Sequence, residues 1–266
     1  MSKIVKGTSR SGVGTTLVVP QHRLVFDMGA PLVESLGVRK VFITHGHMDH
    51  AGALVFHAST RGMMGMGPPL FHVPAWMEAD LRVILKAAAR LNGGGVQFDM
   101  VPMEAGKSHD LGGPRRVVPF YTDHRLPCLG YKVYQTRNKL RDEFIGLPGE
   151  EIGRLRKGGT EVTREVEALA HTHVGDSRVT VLDKHPEVFQ SDVLVLECTF
   201  VGDYSLEETH RRGHTHLSEL AERAELFKDV KAVVLTHFSM RHSEKEVKAE
   251  VAKLPESLRD KIHLVF

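Results

Sequence analysis

Apolar residues occur along the chain in short blocks of three or four, separated by polar segments. Apolar runs of this length between turn-forming residues predict β-strands. The early runs follow one another closely, as in hairpins, whereas the later ones are separated by longer segments. The predicted strands are 17–19, 24–26, 41–43, 70–73, 117–120, 179–182, 193–196 and 233–235.

Three longer segments have apolar residues at helical spacing: 76–91, 216–227 and 243–254. The first stops at Asn92-Gly93-Gly94-Gly95 and the last at Pro255, both of which are helix-ending signals. Hairpins followed by strands that alternate with helices predict an α/β fold of four layers, an α/β/β/α sandwich. We expect one domain over 1–266, with an insertion at about 132–170, where the chain is polar and weakly periodic.

A dense cluster of metal-ligand side chains follows the predicted strand at 41–43. It reads His45-Gly46-His47-Met48-Asp49-His50. Neutral imidazoles and carboxylates are the ligands that zinc prefers among N and O donors. Four of them in six residues indicate a metal site, and so a metal-dependent hydrolase.

Three further signals lie at or near the ends of predicted strands or in the turns between them. They are Tyr121-Thr122-Asp123-His124, Val174-Gly175-Asp176-Ser177 and Leu235-Thr236-His237-Phe238. A lone histidine in such a place is more often structural, but together with the first cluster these residues favour one metal centre. His171 and His173 form another pair on one face of an extended segment, and we expect them to be polar surface residues.

The order of these residues resembles the signature of the metallo-β-lactamase fold hydrolases, H-x-H-x-D-H followed by separate His, Asp and His. The resemblance implies two zinc ions, with manganese or iron also compatible with such ligands. It implies a first ion held by His45, His47, His124 and Asp176. It implies a second held by Asp49, His50, Asp176 and His237, with Asp176 and a water molecule as bridges.

A further segment narrows the resemblance to one branch of that superfamily. Arg212-Gly213-His214-Thr215-His216-Leu217-Ser218-Glu219 is similar to the histidine motif of ribonuclease Z, the endonuclease that removes the 3′ trailer from precursor tRNA. Other stretches similar to the short, plant-type form are Ser59-Thr60-Arg61-Gly62, residues 144–152 and Glu197-Cys198-Thr199-Phe200. The chain departs from the family in having His242 where tyrosine is usual and Ser177 where threonine is common.

The resemblance implies hydroxide attack on a phosphodiester, leaving a tRNA 3′-hydroxyl and a 5′-phosphorylated trailer. Expulsion of the 3′ oxygen calls for a proton, which a histidine that titrates near neutral pH can supply. We therefore expect His214 to be the general acid, oriented by a carboxylate such as Asp49. The alternative is that His214 only caps the helix or packs beside the site.

Positive charge is concentrated between positions 132 and 157, which carry seven basic and four acidic residues although the whole chain has a net charge of only +2. The family carries a tRNA-binding arm in this region, so Arg154, Arg156 and Lys157 are candidate phosphate contacts. Ser239 and Arg241, just after His237, are also candidates. Ordinary surface roles remain open for all five.

The rest of the composition fits an intracellular enzyme. No apolar run is long enough to span a membrane, residues 1–7 lack the apolar core of a signal peptide, and the two cysteines fit a reducing compartment, so we expect a cytoplasmic protein. The family implies a homodimer. Two alternatives remain open: a hydrolase of a small phosphodiester, thioester or lactone, and a non-catalytic RNA-binding module.

Overall fold

The computed structural model describes residues 4–94 and 96–266, and these form two β-sheets with helices packed outside them. Residues 1–3, at the start of the segment considered for a signal peptide, and Gly95, in the predicted helix stop, lie outside the described residues. The strands are β1 (Lys6–Arg10), β2 (Gly14–Val19), β3 (Leu24–Phe26), β4 (Lys40–Phe42), β5 (Leu70–Pro74), β6 (Asp99–Met103), β7 (His109–Asp110), β8 (Arg115–Tyr121), β9 (Leu129–Leu140), β10 (Thr163–His173), β11 (Val193–Glu197), β12 (Ala232–Thr236) and β13 (Ile262–Leu264). The helices are α1 (Met48–Ala51), α2 (Leu54–Met63), α3 (Glu78–Leu91), α4 (Gly149–Lys157), α5 (Thr180–Lys184), α6 (Leu206–Arg212), α7 (Leu217–Glu222), α8 (Glu244–Val251) and α9 (Glu256–Arg259).

Strand direction brings several strand ends to one edge of the molecule. The first sheet has the order β1 to β6, and the second has the order β13-β12-β11-β10-β9-β8-β7. Strands β10 to β13 are parallel to one another, and β8 runs in the same direction as β10 because β9 is antiparallel to both. In the first sheet, β3 to β6 are parallel. The carboxyl ends of β8, β10, β11 and β12 therefore share one edge of the second sheet.

Three groups of buried apolar side chains fill the spaces between layers. The central group packs the sheets together, with Phe26 and Phe42 facing Tyr131 and Val195. A second group lies between the first sheet and helices α2 and α3, and a third lies between the second sheet and helices α5, α7 and α8. This arrangement confirms the predicted four-layer α/β/β/α sandwich. No helix among the described residues is long and apolar enough to cross a membrane.

Most of the predicted elements are present, but the prediction for 179–182 was wrong. This segment begins helix α5, whose Val181 and Leu182 pack against the outer face of the second sheet. A four-residue apolar run does not distinguish a buried strand from a buried helix turn. The sequence pattern also missed β1, β6, β7, β9, β10 and β13, which are short, polar or irregularly patterned.

The segment expected to be an insertion is largely a long hairpin. Strands β9 and β10 pair from Tyr131 opposite His173 out to Leu140 opposite Thr163, and helix α4 lies in their connection. The roots of both strands are buried and belong to the second sheet, whereas the outer parts are half-buried or exposed. We call residues 134–168 the arm.

His171 and His173 are buried, so the expectation of a polar surface pair was wrong. The two imidazoles are 0% and 3% exposed and stack on Phe26, with ring centroids 5.2 and 4.6 Å away. Strand β10 lies in the middle of the second sheet, and its inner face meets the first sheet. The prediction that both side chains lie on one face of an extended segment was correct, but that face is buried between the two sheets.

One hydrogen bond ties the two sheets together beside the cluster at 45–50. The buried Tyr131 hydroxyl donates to the Ile43 carbonyl, with an O–O distance of 2.5 Å. We expect Tyr131→Phe to lower the free energy of unfolding by about 1–3 kcal/mol, because it leaves a buried carbonyl without its partner. Urea unfolding in a chelator would measure this loss separately from metal binding.

The matched control is Tyr134→Phe on the same strand. The hydroxyl of Tyr134 makes no hydrogen bond with the residues that the structure describes, and its ring contact with Arg116 survives in phenylalanine. Equal stability of the two variants would contradict the proposed weight of the Tyr131 bond.

Candidate metal centre and active site

The candidate ligands converge because each one follows a strand that ends at the same region. The segment 45–50 follows β4 and leads into helix α1, His124 follows β8, Asp176 follows β10 and His237 follows β12. Helix α1 is held near the first sheet at Gly29, where an added Cβ would lie only 1.8 Å from the Asp49 carbonyl oxygen. A side chain at position 29 would therefore displace the loop that carries four of the candidate ligands.

The seven predicted ligands fall into two groups that meet at Asp176. His45, His47, His124 and Asp176 each have a ligand atom within 4.8 Å of the others, as do Asp49, His50 and His237. The Asp176 carboxylate also reaches the second group, because its oxygens lie 3.4 Å from the Nε2 atoms of His50 and His237. The structure thus brings together every residue that the sequence proposed for the metal centre.

The ring orientation of two histidines is set by threonines. Thr44 Oγ1 donates to Asp27 (2.9 Å) and is 2.9 Å from His45 Nδ1, so it accepts the proton of that nitrogen. Thr199 Oγ1 donates to Glu197 (2.8 Å) and in the same way accepts from His237 Nδ1 (3.0 Å). Since each Nδ1 carries the proton, each Nε2 has a free lone pair directed at the centre.

Two more histidines are oriented by oxygen acceptors. His50 Nδ1 donates to Asp27 Oδ2 (2.7 Å), and His124 Nδ1 donates to the Gly213 carbonyl (2.9 Å). The Nε2 atom of His124 is buried without a hydrogen-bond partner. A buried ring nitrogen in this state normally costs about 1–3 kcal/mol, which a metal–nitrogen bond would offset. The donor set therefore fits divalent cations such as zinc.

Burial and neighbouring charges shift the pKa values of the imidazole and carboxylate groups in this site. Burial and the nearby charge of His50 lower the pKa of His45 to about 3, so this imidazole is neutral at physiological pH. Burial by itself would raise the pKa of Asp176, but electrostatic attraction to the neighbouring imidazoles of His237 and His50 holds this pKa well below the usual value. For His50, burial is likewise outweighed by the carboxylates of Asp176 and Asp27, which raise its pKa.

His214 lies beside both ligand groups, but its carboxylate partner differs from the expected one. Its ligand atom is within 4.8 Å of those of Asp176 and His237, and its Nδ1 is 2.8 Å from Glu197 Oε1. Burial alone would lower the pKa of His214, and the charge and hydrogen bond of Glu197 raise it instead. The prediction of Asp49 as the orienting group is corrected: Asp49 accepts from the Gly12 amide (2.6 Å) and faces His237.

Gly213 connects His214 to His124. It ends helix α6 with a left-handed φ of 81°, which favours glycine, and its carbonyl is the acceptor for His124. A Cβ at this position would lie 3.0 Å from His124 Nδ1. The glycine that precedes His214 therefore allows both the helix end and the close approach of His124.

Comparison with known proteins identifies the family. No protein-family model matches the chain. The protein named tRNase Z TRZ1 of Arabidopsis thaliana is 33% identical over 261 residues, which are 97% of this chain and 93% of that protein. The chain belongs to the ribonuclease Z family. A second relative of this family, tRNase Z TRZ2, chloroplastic, of the same plant, is 30% identical over 98% of this chain and 74% of its own length.

Solved structures agree with the ribonuclease Z assignment at the level of the fold. Human tRNase Z, short form, superposes with a TM-score of 0.64 and 20% identity, covering 98% of this chain and 95% of that one. YhfI of Bacillus subtilis, described as a metallo-β-lactamase fold protein, has a TM-score of 0.63 and 14% identity, covering 97% and 93%. The sandwich is therefore the metallo-β-lactamase fold.

The residues expected to contact substrate in this ribonuclease Z chain lie in two places. Ser239 follows β12 beside the metal centre, and its hydroxyl accepts from the backbone amide of the exposed Arg241. Arg154, Arg156 and Lys157 are exposed on α4 in the arm. Arg154 is near Glu151 (3.8 Å), whereas Arg156 and Lys157 make no ion pair within the described part of the chain.

Sequence reasoning assigned no role to Asp27, Glu197, Thr44 or Thr199, although all four orient histidines. Asp27 follows strand β3 directly and Glu197 ends strand β11, so the strand-end signal used for the ligands also marks these two acids. Asp27 and His237 both have left-handed backbone, with φ of 59° and 63°. Such strain in residues other than glycine is often found at functional sites.

Metal analysis of purified variants tests the shared position of Asp176. We expect the unmodified protein to carry about two equivalents of divalent metal, and Asp176→Ala to retain less than about one, since its carboxylate reaches both groups. His124→Ala should lose metal from one group only. Elemental analysis after gel filtration measures each content.

His263→Ala, on strand β13, is the control and should leave the metal content unchanged. Full metal content in Asp176→Ala would contradict a shared ligand.

Proposed function

We propose that this member of the ribonuclease Z family is a metal-dependent endoribonuclease that removes the 3′ trailer from precursor tRNA. The observation that carries the proposal is the convergence of both ligand groups on Asp176, next to a His214 imidazole bound to Glu197. The tRNase Z names of the relatives support the substrate.

We assign the metal ligands in two sets. His45, His47, His124 and Asp176 would hold one zinc ion, and Asp49, His50, Asp176 and His237 would hold the other. Manganese or iron would suit the same N and O donors. When bound, the pair of ions supplies a hydroxide near neutral pH and neutralises charge on the phosphate oxygens.

The protein side chains provide the proton for the leaving group. Because Glu197 binds His214 through Nδ1, the Nε2–H of that imidazole is free to donate to the departing 3′ oxygen. The Glu197 charge favours the protonated imidazole that this step requires. The products would be a tRNA with a 3′-hydroxyl and a trailer with a 5′-phosphate. Glu197 is thus a positioning residue for His214.

The test is cleavage of end-labelled precursor tRNA by protein of known metal content. We expect His214→Ala to lower kcat by about 10²- to 10⁴-fold, the usual contribution of a general acid, while both metal ions remain bound. Glu197→Gln should lower kcat less, since the imidazole is still present. Mapping of the product ends should give a 3′-hydroxyl and a 5′-phosphate.

The chain offers a matched control in His210, whose Nε2 is 2.6 Å from Glu219 Oε1 and which belongs to none of the candidate metal groups among the described residues. His210→Ala should leave kcat unchanged. Full turnover by metal-loaded His214→Ala would refute the assignment of the acid, and a 2′,3′-cyclic phosphate product would refute the mechanism.

We further propose that the arm binds the tRNA. We also propose that the chain forms one domain and works as a homodimer. Three of the seven basic residues at 132–157 pair with acids outside that segment: Lys132 with Glu187, Arg137 with Asp192 and Arg141 with Glu161. The exposed cations Lys139, Arg156 and Lys157 have no ion pair within the described residues. These three are the best candidates for phosphate contacts, delivered to the metal centre of a second copy.

The salt dependence of precursor tRNA binding tests whether the arm contacts phosphates. We expect Arg156→Ala/Lys157→Ala to weaken precursor binding and to reduce the slope of log affinity against log salt by about 1–2, because each lost phosphate contact removes about one released counterion. The control is Lys228→Ala/Lys245→Ala, which removes two exposed cations elsewhere. Equal slopes for the two double variants would exclude the arm as the binding element.

Mixing tests the dimer. Subunits of the arm variant and of His214→Ala should recover activity when they exchange, because one copy then supplies the arm and the other the acid. If light scattering shows that the mixture is dimeric and its activity is still not recovered, the arm of one subunit does not act at the metal centre of the other.

We also propose a reducing compartment, such as the cytoplasm. Cys128 and Cys198 are both buried and free of a disulfide, which supports this location.

A further inference from the structure

An exposed pair of aromatic side chains, Trp76 and Tyr121, lies outside the roles assigned so far. Their ring centroids are 6.1 Å apart and their planes differ by 18°. Trp76, the only tryptophan in the sequence, is 40% exposed, and Tyr121 is 58% exposed. Large aromatic side chains gain most of their stabilisation from burial, so a pair in contact with solvent calls for an explanation.

Each residue lies close to a segment that carries candidate metal ligands, either along the chain or through a neighbouring side chain. Tyr121 ends strand β8, three residues before His124, a distance that the chain spans in at most about 11 Å. Trp76 precedes Met77, whose Cε lies 3.6 Å from the position that a Cβ on Gly46 would take. Gly46 stands between His45 and His47. The aromatic pair is therefore at the rim of the ligand groups.

The same rim carries a positive charge without a partner. Arg125, next to His124, is exposed and makes no ion pair within residues 4–94 and 96–266. Its Cγ lies 3.0 Å from the position of a Cβ on Gly213, the residue before His214. An exposed aromatic pair and an unpaired guanidinium, four residues apart in sequence at Tyr121 and Arg125, match an unpaired nucleotide, which joins an aromatic base to a negatively charged phosphate.

We propose that Trp76 and Tyr121 form a stacking site for the unpaired base next to the scissile phosphate, with Arg125 contacting a neighbouring phosphate. This proposal rests on the proposed cleavage of RNA. Stacking on aromatic side chains accepts any base, so the site would position the strand without demanding a particular trailer sequence. The pair is a substrate-positioning site and takes no part in bond breaking.

Kinetics of substituted proteins test the site. We expect Trp76→Leu and Tyr121→Leu each to raise KM for precursor tRNA by about 10-fold, the usual effect of losing one stacked base, with kcat nearly unchanged. Trp76→Phe and Tyr121→Phe keep a ring and should retain most of the affinity. The control is Phe56→Leu on α2, an aromatic of similar exposure (44%). Unchanged KM in both leucine variants would overturn the proposal.

Abasic substrates identify the contact. Precursor tRNA that lacks the base on one side of the scissile phosphate should bind the unmodified protein about 10-fold more weakly. The same loss should be absent in Trp76→Leu, because the contact is already gone. The experiment uses two abasic precursors, one lacking the base before the scissile phosphate and one lacking the base after it. If Trp76→Leu lost as much affinity as the unmodified protein on both of them, Trp76 would not contact either base and the proposal would be overturned.

The single tryptophan gives a readout that does not depend on turnover. A short single-stranded RNA that spans the cleavage junction should quench the emission of Trp76 in the metal-loaded protein, and the same RNA without its two junction bases should not. Equal quenching by both RNAs would overturn the proposal. Failure of the unmodified protein to cut precursor tRNA would instead refute the proposed function, so the two failures are distinguishable.

Discussion

The buried carboxylate of Asp176 is the interaction on which the rest of the site depends. It is 2% exposed and lies within 3.4–3.8 Å of ring nitrogens of His45, His50 and His237. A buried negative charge is tolerated only when positive charge or hydrogen-bond donors surround it. Here His50 on helix α1, whose pKa is raised, supplies positive charge. His45 and His237, after strands β4 and β12, direct nitrogen lone pairs at the same place, where a divalent cation would balance the carboxylate. The residues around Asp176 come from both sheets, so the centre forms only when the two sheets pack together.

A layer of small polar groups behind the ligands sets which nitrogen of each ring faces the centre. Thr44 and Thr199 each use one hydroxyl to donate to an acid and to accept from an imidazole. Such a relay fixes both the rotation and the tautomer of the ring before any cation binds. A cation would then meet lone pairs that are already aligned, so little ordering entropy would be lost on binding.

Local pattern predicted the layers, because strand blocks and helical spacing are visible over short stretches of sequence. The polar residues directly after the strand blocks, together with the family resemblance, predicted the seven candidate ligands that the structure brings together. Glu197 was missed as the partner of His214, because that contact joins residues 17 positions apart on different elements. The burial of His171 and His173 was missed for a similar reason: their polar type indicated surface, and only the central position of β10 decides otherwise.

The arm shows where local pattern fails more broadly. Its outer strands are mostly polar and have no buried residue on either face, so no alternation of buried and exposed positions is present to reveal them. Their pairing depends on the backbone ladder and on ion pairs such as Arg116 with Glu167 and Arg164 with Asp142. Exposed ion pairs stabilise little, so the outer hairpin is held mainly by its backbone.

Gly213 has a consequence for how the site can vary. This one residue ends a helix, gives its carbonyl to His124 and precedes His214, so the candidate metal ligand and the proposed proton donor both depend on a position without room for a side chain. A substitution there would disturb both histidines at once, and neither could be altered separately through that position. Adjustment of the chemistry is left to the outer acids and threonines, each of which contacts only one or two rings.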